Sequence, residues 1–250
     1  MPPLDTRALQ ARLCAARFPV KVDGIHGTET QGALDRIGGI GALDLHPSGL
    51  HSIVIHWTGG AAGVIDLERE HYHLIITQDA KAVPGRYRPE ANADVSDGQY
   101  AAHTRAANSG RIGVAFDAMA GAVERPFDPG FAPITEEMVR VMAREVAALC
   151  QTYRIPVTPW TVLTHAEVPE RLGIAQRGKW DCNWLPPLSQ PTTPAAAGTR
   201  LRQAIRAALD TEDVPVGMVV TKADPPPPAS PGLAATIARL IRTCLEVLRS

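Results

Sequence analysis

Cysteine is scarce in this chain. Its four residues, Cys14, Cys150, Cys182 and Cys244, are scattered over 250 positions and form no CxxC pair. That excludes a disulfide framework and a four-thiolate metal site. An excess of either charge is missing too. With 25 basic and 26 acidic residues the formal net charge is -1, so no global basic field exists to hold a nucleic-acid backbone. No apolar run approaches the roughly 18 residues of a membrane span. The first ten residues are polar, carry Asp5 and Arg7, and lack the apolar stretch of a secretory signal. The chain is therefore expected to stay in the cytoplasm of the cell that makes it until something else releases it.

What is present points to a globular protein with imidazole chemistry. A hydrophobic fraction of 45% and a charged fraction of 20% are ordinary. The length suits one full domain of roughly 100–200 residues plus a small unit or tails. Eight histidines outnumber the thiols, and ten of the 22 prolines lie at or after Pro186, so the C-terminal quarter is expected to be partly non-globular.

Four segments follow from the patterning. Residues 1–46 read as a small helical unit. Leu9, Leu13 and Ala16 mark one amphipathic helix, and Thr28 caps a second over 29–37. Asp23-Gly24 and Gly27 mark tight turns between them. Residues 47–212 read as the main domain. Apolar runs at 52–57, 72–77, 113–116 and 160–165 predict strands. Thr135 caps a long helix over 136–153, with Glu136 and Glu137 in its first turn, and a further helix covers 199–209. Strands alternating with helices predict an α/β fold, a mixed central β-sheet flanked by helices. Residues 213–232 contain four prolines in a row, Pro225 to Pro228, and read as a semi-rigid polyproline spacer. Residues 233–250 read as an amphipathic helix with Leu233, Ile237, Leu240, Ile241, Cys244 and Leu248 on one face and a net positive charge. The helix could pack on the domain, pair with a partner helix or lie on an anionic membrane, and the proline spacer and positive balance favour the membrane surface.

Two histidines end apolar strands: His56 after Ile53-Val54-Ile55, and His165 after Val162-Leu163-Thr164. Sixteen residues beyond His165 lies Asp181, in the loop Lys179-Trp180-Asp181-Cys182. Two strand-end imidazoles and one loop carboxylate would make a three-ligand zinc site with an open fourth position, the pattern of a catalytic metal. Taken singly, a strand histidine is more often a structural residue, and a loop aspartate a turn former.

The ordered pieces are more specific than any single residue. They are Ile53 to Thr58; Tyr72-His73-Leu74-Ile75-Ile76 with Gln78-Asp79; His103 through Asn108 to Ile112-Gly113-Val114; Thr164-His165; and Lys179-Trp180-Asp181. From about His51 to Pro187 the chain resembles the zinc-dependent N-acetylmuramoyl-L-alanine amidases, the family of the phage lysozyme-amidases and peptidoglycan recognition proteins. The resemblance implies His56, His165 and Asp181 as Zn2+ ligands, with Cys182 a nearby alternative to the carboxylate. It implies Tyr72 and Lys179 beside the metal as catalytic groups. Without it, Tyr72 would read as a core aromatic and Lys179 as a solvated loop charge. It also places His103, Asn108 and Trp57 as candidates to line the substrate cleft. Some cell-wall-recycling members carry a glutamate after the Ile-Gly-Ile/Val segment. Here that place is Ala115, with Asp117 two residues further on, so the pattern without the glutamate fits better. His73 is expected to be structural, and His26, His46, His51 and His71 to be surface or turn residues.

Residues Val22-Asp23-Gly24-Ile25 through Gly27, Thr30 and Ala33-Leu34 resemble the peptidoglycan-binding helical repeat found beside wall hydrolases. Gly38-Gly39 cuts its last helix short, so this unit either binds wall or docks on the catalytic domain. Together these features imply a peptidoglycan hydrolase, a phage or prophage endolysin acting on the bacterial cell wall after release. The alternatives are a non-catalytic peptidoglycan recognition module and a cytoplasmic amidase that recycles muropeptides.

Overall fold

The computed structural model describes residues 5–211 other than 17, 38, 41, 42 and 44. The expected proline spacer and amphipathic tail, 213–250, lie outside the described residues.

At the centre is a five-stranded mixed sheet in the order β3-β2-β4-β1-β5. The strands are β1 (Ser52–Trp57), β2 (Leu74–Ile76), β3 (Ala82–Pro84), β4 (Arg111–Phe116) and β5 (Val162–Thr164). β1 pairs in parallel with β4 and β5, β2 in parallel with β4, and β3 closes one edge antiparallel to β2. The buried strands β1 and β4 are near-continuous apolar runs, as parallel strands covered on both faces must be. β3 is short and ends in Pro84. Proline lacks the N–H that an interior strand must donate, so it sits at an edge.

One sheet face is covered by helices. Alternation sends Ile53, Ile55 and Trp57 of β1, with Ile112, Val114 and Phe116 of β4, to this side. There they pack on Met138, Val141, Met142 and Val146 of α4 (Glu136–Thr152) and Leu201 and Ile205 of α6 (Pro194–Leu209). Each such side chain contributes about 1.5–3 kcal/mol on burial. α4 starts where expected: the Thr135 hydroxyl accepts from the Met138 N–H at 3.2 Å. α6 starts at Pro194 rather than Thr199, because Thr193 caps it through the Ala196 N–H and Pro194 suits its first turn.

The other face carries Val54, His56, Gly113, Ala115 and Ile75. His56 stands level with Ala115, and Ala115 with Ile75. Two short helices complete the main elements: α3 (Asp66–His71) precedes β2 in the chain, and α5 (Val168–Leu172) follows β5.

The N-terminal helices α1 (Thr6–Ala15) and α2 (Thr28–Ile37) share a small core of Leu9, Leu13, Val20, Ala33, Leu34 and Leu43. Gln10 is buried between them. Its amide nitrogen lies within 2.9–3.0 Å of Asp23 Oδ1, the Ile25 carbonyl and Thr30 Oγ1, and its oxygen accepts from the Asp23 and Gly24 N–H groups, so the turn after α1 is fastened from inside. This unit also touches the main domain. Arg12 donates to the Arg154 carbonyl at 2.7 Å, and Asp5 pairs with Arg111 and lies 3.3 Å from His51 Nε2. His51 is therefore not the surface residue expected: it is 3% exposed, because the sequence does not reveal that Asp5 returns to meet it.

Candidate functional site

The site forms where parallel strands end at their carboxyl edge, the usual place for chemistry in such sheets. His56 is the fifth residue of β1. His165 follows β5 directly, as the first residue of a 3-10 turn, 165–167. A buried ion pair holds that turn. Glu167 is fully buried, accepts from the Thr164 N–H at 3.0 Å, and takes a two-point grip from Arg202 of α6 at 2.9 and 3.1 Å. Gly198 makes room: a Cβ there would lie 2.1 Å from the Glu167 carboxylate. Asp181 comes from the 177–183 loop, with only 4% exposed.

These three residues converge. His56 Nδ1 and His165 Nδ1 are 3.0 Å apart, and Asp181 Oδ2 lies 2.9 Å from His165 Nδ1 and 3.6 Å from His56 Nδ1. They form the group of buried side chains able to hold a metal ion among the described residues. Ligands about 2.0–2.2 Å from a tetrahedral ion stand about 3.4 Å from one another. The three observed separations fall on either side of that value, and two imidazoles with one carboxylate are a suitable donor set for zinc.

Protonation states agree with that use. Burial, then the neighbouring His165 and Lys179 charges, lower His56 to about 4 against the pull of Asp181, so its ring is neutral at neutral pH. Burial alone would raise the Asp181 carboxyl, but the adjacent His165 and His56 imidazoles outweigh that and hold it well below the usual carboxylate range. Cys182 is a different matter. Its thiol lies in the core, 3.8 Å from the Ile55 carbonyl. Burial, with the charges of Asp181 and Glu167, pushes it well above its ordinary value, which favours the carboxylate over a thiolate as donor.

The far nitrogens of both imidazoles are engaged. His165 Nε2 is 3.0 Å from Gln176 Oε1. The Gln176 amide donates to the Arg105 carbonyl at 3.0 Å, which fixes its oxygen toward His165. His56 Nε2 faces His103 Nδ1 at 3.2 Å and Thr104 Oγ1 at 3.3 Å. His103 lies across β4 over Gly113, where a Cβ would come within 2.3 Å of its ring. It is 6% exposed. Burial, then the charges of His56 and His73, push it well below the ordinary histidine value.

The remaining expected residues fall in different places. Tyr72 is half-buried just before β2, with its ring centroid 5.3 Å from that of His56. Burial first, then the Asp181, Glu68 and Cys182 charges, raise its phenol, so it stays a donor. Lys179 is exposed, and its charge reaches His56. Asn108 braces the turn under His103 by accepting from the Thr104 N–H at 2.8 Å. Trp57 is not brought to the metal group. Alternation turns it to the helix-covered face, where its ring meets Trp180 at 4.6 Å. Asp117, the acid beyond Ala115, accepts from the Gly63 N–H at 2.9 Å. His73 stands between Asn92, at 2.9 Å from its Nε2, and the Gly113 N–H, which donates to its Nδ1 at 2.9 Å.

Sequence reasoning missed Gln176, Thr104 and Asn92. Asn92 is fully buried, accepts from His73 and the Ala101 N–H, and donates to the Ala101 and Asn108 carbonyls. Isolated amides and hydroxyls in loops carry no periodic signal, so only their position after folding identifies them.

Compared with known proteins, residues 47–183 match the model of one family, described as N-acetylmuramoyl-L-alanine amidase. The comparisons with curated proteins and with solved structures return no match.

Proposed function

The chain belongs to the N-acetylmuramoyl-L-alanine amidase family, and from that premise we propose that it is a zinc-dependent peptidoglycan hydrolase of the endolysin kind. The bond cut is the amide between the lactyl group of N-acetylmuramic acid and L-alanine. Water adds to the carbonyl carbon, the C–N bond breaks, and the products are a carboxylic acid and a free amine.

The observation that carries the reading is the buried triangle of His56, His165 and Asp181. Those three would hold zinc, which supplies Lewis acidity and lowers the pKa of water toward ~7. The chain's own groups do the rest. Tyr72, kept protonated, donates to the carbonyl oxygen as negative charge develops. The Lys179 ammonium stabilises the same charge from the solvent side, and a proton must reach the departing amine. His103 and Asn108 stand behind His56 and shape that wall of the cleft from within.

The N-terminal unit, with its Asp23-Gly24 turn, supports an enzyme that works on wall polymer. Among the described residues no helix is long and apolar enough to cross a membrane. The apolar face and net positive charge of residues 233–250 support contact of that segment with an anionic bilayer. Deleting 225–250 tests that contact: unchanged association with anionic liposomes would end the idea.

The decisive experiment joins metal content to product analysis. Purified protein should carry one equivalent of zinc and release new alanine amino termini from sacculi. His165→Ala should lose both, with activity falling to background. Zinc-free protein, or no new amino termini, would overturn the assignment. Cleavage confined to soluble muropeptides would move it to a recycling amidase, and wall binding without cleavage to a recognition protein.

A further inference from the structure

We propose that His103 is a positioning residue that locks His56 in a single tautomer, with the proton on Nε2 and the Nδ1 lone pair aimed at the metal. The inference rests on the zinc reading above and concerns which nitrogen of His56 is free to bind.

The proton order is set by a group whose role cannot change. A backbone carbonyl can only accept, and the Arg111 carbonyl lies 3.3 Å from His103 Nε2. The proton of a neutral His103 therefore sits on Nε2, and its Nδ1 is an acceptor. Two groups face that acceptor: the Thr104 hydroxyl at 2.8 Å and His56 Nε2 at 3.2 Å. The His56 proton either reaches His103 Nδ1 directly or passes to Thr104 Oγ1, whose own proton then goes to His103 Nδ1. Both arrangements require the same thing of His56: its proton is on Nε2. The opposite nitrogen, Nδ1, is left with its lone pair beside His165 Nδ1 and Asp181 Oδ2.

The lock has mechanical support. The His103 ring lies against Gly113, where any side chain would displace it. Its neighbour His73 takes the Gly113 N–H, so both rings are indexed to the same strand position. Asn108 holds the Thr104 backbone. His165 has the equivalent partner in Gln176, so each imidazole ligand has its far nitrogen occupied. Partners of this sort typically change metal affinity about 10–100-fold when removed.

The test uses the full chain with and without zinc. Long-range 1H–15N spectra of the unsubstituted protein should show His56 and His103 both carrying the proton on Nε2. A His56 proton on Nδ1, or a mixture of tautomers, would overturn the proposal, and this measurement needs no variant to fold. His103→Leu should weaken zinc binding, by chelator competition, about 10–100-fold and give His56 mixed tautomers. His103→Gln offers an acceptor to His56 and a donor to the Arg111 carbonyl, and should restore both properties. If unsubstituted protein binds zinc and His103→Leu binds it equally well, the lock is wrong while the zinc reading stands. If unsubstituted protein binds no zinc, the zinc reading fails, and the tautomer spectrum of His56 still decides the lock.

Discussion

The two faces of the central sheet are both buried and are filled by opposite means. The helix-covered face is filled by aliphatic side chains whose attraction has no direction. The other holds His56, His73 and His103, each within hydrogen-bond reach of named partners. Apolar packing tolerates a partner of similar size in any rotation. A chain of imidazoles works only if every proton is on the correct nitrogen. One face therefore carries apolar packing, and the other carries polar groups whose proton positions must agree.

Substitutions can break that separation. Met142→Ala, on the helix-covered face, should cost about 2–5 kcal/mol in denaturant unfolding and leave zinc affinity of the folded protein unchanged. An equal loss of zinc affinity would show that the faces are not independent. Acid should act on the histidine face. Burial lowers His73 to about 4, while the unfolded chain binds that proton near pH 6.5. Between those values the unfolded state holds more protons, so stability is full above about pH 6.5 and is lost as pH falls toward 4, by about 3 kcal/mol from this residue. Urea midpoints across that range check it, and His73→Gln should flatten part of the slope. Gly113→Ala should cost about 1–3 kcal/mol through overpacking, yet weaken zinc binding, because the added methyl meets His103. Weakened stability with intact zinc affinity would place His103 outside the metal's support.

The same contrast explains what was legible in the sequence. β1, β4, α4 and the cap at Thr135 could be read because periodicity and capping are local. His56, His165 and Asp181 could be read because a strand end and a loop motif place them, and the structure brings these three together. The edge strand β3 and the six-residue α3 escaped. β3 has three residues and a proline, and α3 buries none of its side chains, so neither has a pattern to detect. The strand expected at 72–77 shortens to Leu74–Ile76 because Tyr72 ends α3 instead. The hydrogen-bond chain through His103 was invisible for a deeper reason. Its order depends on a carbonyl at 111, a hydroxyl at 104 and a ring at 56, residues whose proximity exists only after folding.

Arg111 serves two neighbours. Its carbonyl faces His103, while its side chain, in the same residue, grips Asp5 at the cap of α1. The family match begins at residue 47, but the partner of this buried guanidinium lies forty-two residues upstream of that limit. A fragment trimmed to the match would leave a charge in the protein interior without its counter-ion, at the strand position that anchors the histidine relay. The catalytic segment is thus not a cartridge to be lifted out and fused elsewhere: chimeras that exchange the N-terminal helices must carry a carboxylate back to the same place.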